Sequence, residues 1–157
     1  MATPPDAPRL AGVDDAEEIA RLLHDFNTEY EVSSPGVDVL APRLRVLLAG
    51  DATFAILVGT PSVAVALVTL RSNVWYDGPV ALLDELYVVP DRRSQGIGSD
   101  VMGLLLDTCN QRGIDLVEIN VDEGDTDAQR FYERHGFQAT EPETGERAFY
   151  LHRELTR

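Results

Sequence analysis

The sequence predicts an α/β fold of the mixed α+β kind, a mixed sheet with helices on its faces, and three observations predict it. Two helical stretches open the chain. Three β-branched apolar runs separated by turn residues follow, and the pattern then changes to helix, strand, helix, strand. Strands joined by short turns pair antiparallel, whereas a helix between two strands makes a crossover. With 157 residues, 44% apolar and 25% charged, the chain suits one domain with a proper core, expected over residues 9–157 behind a short polar lead, Met1–Pro8.

Each element has its own signal. Asp14–Tyr30 carries Ile19, Leu22, Leu23 and Phe26 at helical spacing, and Ser33, Ser34 and Pro35 end it in a loop. A shorter helix is expected over Val37–Leu48, stopped by Gly50 and Asp51. Thr53–Val58 and Val63–Arg71 are apolar, β-branched runs around Gly59, Thr60 and Pro61, a hairpin pattern. Asp77, Gly78 and Pro79 turn the chain into a third run, Val80–Val89, which Pro90 stops. Ser99–Gln111 places Met102, Leu105, Leu106 and Cys109 on one helical face before Gly113. Leu116–Val121 reads as a strand. Thr126–His135 reads as a helix opened by a capping box, Thr126 with Gln129, and closed by Gly136. Ala148–Leu155 reads as a final strand, with a further one near Phe137–Thr140.

Composition removes several kinds of function. All 13 basic residues are arginine against 27 acidic ones, a formal charge of −14. A chain this acidic is repelled by phosphate backbones and anionic bilayers, so no nucleic-acid or membrane partner is expected. Without lysine there can be no Walker-A site, no pyridoxal Schiff base and no kinase strand lysine. Cys109, the only cysteine, lies in an apolar stretch and is expected as a buried thiol. His24, His135 and His152 lack metal-ligand spacing, so no metal is expected, and no Gly-x-Ser-x-Gly nucleophile elbow occurs. No signal segment and no spanning apolar run is apparent, which makes the cytoplasm the expected location.

The informative stretch is Leu86 to Ser99, reading LYVVPDRRSQGIGS: a strand, a loop with two arginines and two close glycines, then a helix start. Glycine lets backbone approach a ligand, and unpaired N–H groups at a helix start point at an anion. A dinucleotide fingerprint would need a third glycine where Val101 stands. What remains is Arg-x-x-Gly-x-Gly over Arg93, Gly96 and Gly98, or a surface loop with incidental glycines. A second stretch, Asp125 to Phe137, reads DTDAQRFYERHGF and follows after one helix and one strand. Together, in this order, the two segments resemble the GNAT superfamily of acyl-CoA-dependent N-acetyltransferases: the first its pyrophosphate-binding motif, the second the alanine, tyrosine and glycine-phenylalanine ending. The resemblance covers Thr53–Phe137 and, in outline, the first two helices.

That resemblance implies a GNAT fold: a mostly antiparallel mixed sheet with about four helices, splayed into a V-shaped cleft between the strand ending at Val89 and the strand Leu116–Val121. Acetyl-CoA would be the acetyl donor. Backbone groups of Tyr87, Val88 and Val89 would pair with its pantetheine arm. Ser94, Gln95, Gly96, Ile97, Gly98 and Ser99 would cradle its pyrophosphate, with Arg93 alongside and Asp125 at the head of the second motif. Tyr132 matches the family tyrosine that protonates the departing thiolate, or else packs the last helix; a phenol with a pKa near 10 is a competent acid. Glu85 is the candidate base, or else a substrate-positioning or solvated carboxylate. On a regular strand Asp84 would point to the other face. Two departures stand out. Asn120 replaces the glutamate of members that acetylate protein N-termini, and Asp125 replaces the usual asparagine.

The expected activity is acetyl transfer from acetyl-CoA to a primary amine by direct attack, on a cationic small molecule. The alternatives are a peptide or protein amine as acceptor, or a catalytically silent acyl-CoA-binding module. A homodimer is left open. Positive potential would be confined to Arg92, Arg93 and the helix start, while Glu85 and the run Asp122, Glu123, Asp125 and Asp127 would make the rest of the mouth negative. Tyr30, Trp75 and Tyr76 would line an acceptor pocket or serve as packing.

Overall fold

In a computed structural model that describes residues 6–156, the sheet runs β1 (Pro8–Leu10), β2 (Thr53–Val58), β3 (Ala64–Arg71), β4 (Val80–Val88), β5 (Val117–Ile119) in that spatial order. Every neighbouring pair is antiparallel except β4 and β5, which are parallel. The helices are α1 (Ala16–Glu29), α2 (Val37–Ala49), α3 (Ile97–Gln111) and α4 (Thr126–Arg134). The mixed, mostly antiparallel sheet and its helices are as the sequence predicts.

All six residues of β2 are buried, so this strand is covered on both faces. Ala55 and Leu57 pack with Ile19 and Leu22 of α1, Ala41 and Leu44 of α2, Val65 and Tyr87. Side chains alternate along a strand, so Ile56 and Val58 face the other layer, where α3 contacts the sheet. There α3 buries Ile97, Val101, Met102, Leu105 and Cys109, one stripe at helical spacing. Each large aliphatic side chain so buried stabilises the fold by about 1.5–3 kcal/mol. Cys109 is a buried free thiol, as its apolar setting foretold, and burial pushes its pKa up.

Four details differ from the sequence reading. Residues 1–5 of the expected lead lie outside the described residues, and Pro8 is not lead but the first residue of β1, paired with Val58. The cap of α4 is Asp125, whose carboxylate accepts the Ala128 N–H at 3.1 Å; Thr126 is already helical, and Gln129 donates to the carbonyls of Asp122 and Glu123. Ala148–Leu155 forms no strand, and Phe149, Tyr150, Leu151 and Leu155 are exposed. Near Phe137–Thr140 there is only an isolated bridge, Thr140 to Arg147.

The chain divides into two compact units, one up to Ile119 and one from Asn120. The second is built on α4, where Tyr132 is buried with Phe131 and Phe137 edge-on to it at 5.2 and 5.6 Å. Gly136, at φ +89°, lets the Phe137 N–H return to the Tyr132 carbonyl at 3.0 Å, which ends the helix.

Candidate active site

Strand β4 outlasts its partner β5. Their ladder ends at Leu83 with Ile119, and among the described residues no strand pairs with Glu85–Val88 on that side. Which main-chain groups face the opening follows from the antiparallel ladder with β3. The Val89 N–H donates to the Val63 carbonyl at 2.9 Å, and Tyr87 stands opposite Val65 two residues back, so Tyr87 and Val89 turn their groups to β3. Of the three residues the sequence proposed for this edge, Val88 offers its N–H and carbonyl to the opening. Leu86, which sequence reasoning missed, does so with it; a step of two from Val88 was the available signal.

A bulge aims Glu85. Leu67 pairs with Glu85 and the next residue, Val68, with Leu83, which leaves Asp84 as the extra residue. Leu67 and Val68 face opposite sides of the sheet, and so do their partners, although these are two positions apart. Glu85 therefore shares the face of Tyr87, beneath α1 and α2, instead of following Leu83 toward α3. Asp84 stays exposed, its carboxylate accepting from the Thr69 hydroxyl. Glu85 is half-buried, and its pKa is raised by desolvation first and by the Asp84 charge second. That shift suits a group that must take a proton near neutral pH.

At the end of β4, Pro90–Arg92 makes a single 3-10 turn, and the loop then doubles back through two left-handed residues, Ser94 at φ +61° and Gly96 at φ +82°. Gly96 is the N-cap of α3, no side chain among the described residues caps the helix, and the first intrahelical bond runs from Asp100 N–H to the Gly96 carbonyl at 3.0 Å. The N–H groups of Ile97 and Gly98 thus lie before the hydrogen-bonded ladder, at the positive end of a 15-residue helix. Gln95, Ile97, Gly98 and Ser99 belong to the same turn. Such a terminus suits an anion.

Both loop arginines are engaged by carboxylates. Arg92 donates to Gln95 at 3.1 Å and to Asp6 at 3.0 Å. Arg93 holds Glu29 of α1 with both terminal nitrogens at 2.8 Å, and its Nε donates to the Val88 carbonyl at 2.9 Å. The Tyr87 hydroxyl donates to Glu29 at 3.0 Å, and its ring stacks on Phe26 at 4.8 Å. The Arg93 hydrogen bond holds the Glu29 carboxyl below its ordinary value, while burial and Glu29 push the Tyr87 phenol up to about 12. The carboxylates offset part of both arginine charges, and the helix start adds its own positive end. No sequence signal marked Glu29, which lies 64 residues from Arg93.

In the second unit, Asp125 is spent on capping α4, Arg130 lies 3.6 Å from Asp127, and Arg147 lies 4.0 Å from Glu123, so that acidic run is partly paired. Trp75 is exposed on the β3–β4 loop and packs no core. Among the described residues no cluster of His, Cys, Asp and Glu could hold a metal ion, and no helix is long and apolar enough to cross a membrane.

The chain has relatives. A protein of Arthrobacter sp. FB24 assigned as an acetyltransferase is 48% identical over 99% of each chain, with a TM-score of 0.90. An integron cassette protein from the mobile metagenome of Cole Harbour Salt Marsh is 24% identical over 96% of this chain and 91% of its own, with a TM-score of 0.78. The aminoglycoside acetyltransferase meta-AAC0020 from an uncultured soil sample, solved with trehalose and with sisomicin, is 18% identical over 95% of each chain, also at 0.78. These last two share the fold. No curated protein matches the sequence. The model of the acetyltransferase (GNAT) family matches residues 17–137, most of the chain, and the chain belongs to that family.

Proposed function

We propose that this acetyltransferase moves an acetyl group from acetyl-CoA to the primary amine of a cationic small molecule, by direct attack. The observation that carries the reading is the unpaired edge of β4 running into the uncapped, glycine-turned start of α3. An extended amide-bearing arm can add to the first as a strand adds to an edge. A pyrophosphate suits the second, at Ser94–Ser99. The free amine nitrogen attacks the thioester carbonyl carbon, the C–S bond breaks, the nitrogen gives up a proton and the thiolate takes one. We assign Glu85 the first proton and Tyr132 the second. Tyr132 is assigned on the likeness of its segment to the family ending, and Asp125 is kept as a cofactor-side residue on the same ground. The Val88 N–H, facing the opening, would steady the developing oxyanion, an effect worth a few kcal/mol.

The acceptor follows from charge. A chain of −14 raises the local concentration of cations, an effect that salt screens over a Debye length of about 8 Å at physiological strength. The neighbour crystallised with sisomicin makes aminoglycoside-like amines reasonable members of a test panel. In a thiol-release assay on matched amines, a polycationic one should show the highest kcat/KM, and its advantage should shrink as salt is raised. An anionic best substrate, or a cation preference indifferent to salt, would refute the electrostatic argument. A protein or peptide amine as the best acceptor would favour that alternative, and cofactor binding without turnover on any amine would mark a silent acyl-CoA module.

A further inference from the structure

Resting on this reading, we infer that Glu29 is a positioning residue of the cofactor site, acting through Arg93 to fix the last peptide plane of the open edge of β4. That plane, from the Val88 carbonyl to the Val89 N–H, is pinned at both ends. The Val89 N–H donates to Val63 at 2.9 Å, and the Val88 carbonyl accepts Arg93 Nε at 2.9 Å. Arg93 can reach that carbonyl in one orientation because its other two nitrogens are held by the two Glu29 oxygens, each at 2.8 Å. Tyr87 supports the arrangement from below, its hydroxyl on Glu29 and its ring 5.6 Å from the guanidinium carbon.

A need for such a device is visible in the chain. Beyond Leu83 the strand has lost β5, and beyond Val89 comes Pro90, which has no N–H to extend the ladder. An edge supported on one side frays, whereas a strand-like ligand needs its partner groups already in place, since ordering them on binding costs affinity. A carbonyl has two lone pairs, so Val88 can hold Arg93 and still accept an amide N–H from the arm. With three of its N–H donors held by Glu29 and Val88, the Arg93 guanidinium is fixed against the edge of β4, and it serves the pantetheine arm and not the phosphates.

The two roles for Arg93 separate with two donors that differ in having phosphates, acetyl-CoA and S-acetylpantetheine. Affinities of both are measured by NMR titration for wild type, Glu29→Gln and Arg93→Gln, with amide hydrogen exchange of the unliganded proteins. Each variant should weaken both donors by the same factor, about tenfold for the loss of one charge-assisted contact, and should speed exchange at the Val89 amide. Weakening confined to acetyl-CoA would make Arg93 a phosphate ligand and overturn the inference. So would tighter acetyl-CoA binding in Glu29→Gln, which would mean that Glu29 competes with the cofactor, or an unchanged Val89 exchange rate. Wild type that binds neither donor would instead sink the proposed function.

Discussion

Gly96→Asp is expected to weaken acetyl-CoA binding at least a hundredfold, with the fold retained. Gly96 sits at φ +82° at the head of α3, and a Cβ there would meet nothing within 4 Å, so the site has room for a side chain. The cost of substitution is conformational, about 1–2 kcal/mol for an L residue held left-handed. Function suffers more. An aspartate places a negative charge where the pyrophosphate would lie, and two unit charges 4 Å apart repel by about 4 kcal/mol at an effective dielectric of 20. Gly96→Ala separates the two effects: it carries the strain without the charge, so it should lower the melting temperature about as much and affinity far less. Isothermal titration with acetyl-CoA decides. Equal affinities for wild type and Gly96→Asp would show that the turn cradles no phosphate.

The loop was legible in sequence because its function is written in residue types: glycine where the backbone must turn left-handed, proline where the strand must stop. Strand β2 was legible to the residue, since β-branched Thr53 and five apolar residues follow one turn former and end at another. Other features were illegible for physical reasons. Pro8–Leu10 has no β-branched residue and becomes a strand through pairing with β2, a tertiary cause. Ala148–Leu155 shows the converse, a strand-like pattern with no strand beside it, since propensity cannot supply a partner. The capping residue of α4 was misplaced by one because Asp125 and Thr126 are both good caps and the backbone geometry decides between them. The bulge at Asp84 leaves no mark in composition, yet it determines which layer receives Glu85. The contact of Glu29 with Arg93 joins α1 to the loop after β4, and no local pattern predicts it.

The bulge gives Glu85 two measurable properties of opposite sign. Its folded-state pKa is raised, by burial and then by Asp84, so the folded protein holds that proton more tightly than the unfolded chain does. Ionising Glu85 therefore costs stability. The cost is absent below the unfolded carboxylate pKa and fully present once pH passes the folded one. Glu85→Gln removes it, so the variant should melt higher than wild type at pH 7 to 8 and close to it near pH 4. Turnover should move the other way. The acceptor amine is mostly protonated at neutral pH, and losing the base should lower kcat by about a hundredfold at pH 6 to 7, with a smaller deficit at pH 9, where the amine sheds its proton unaided. Tyr132→Phe should lower kcat too, with cofactor affinity nearly unchanged, because a single hydroxyl is lost from a ring that stays packed against Phe131 and Phe137. A carboxylate kept merely for structure would predict the reverse for Glu85→Gln, a lower melting temperature and an untouched rate. Raised stability together with a pH-dependent loss of rate is the outcome that a base held on the buried face of a bulged strand requires.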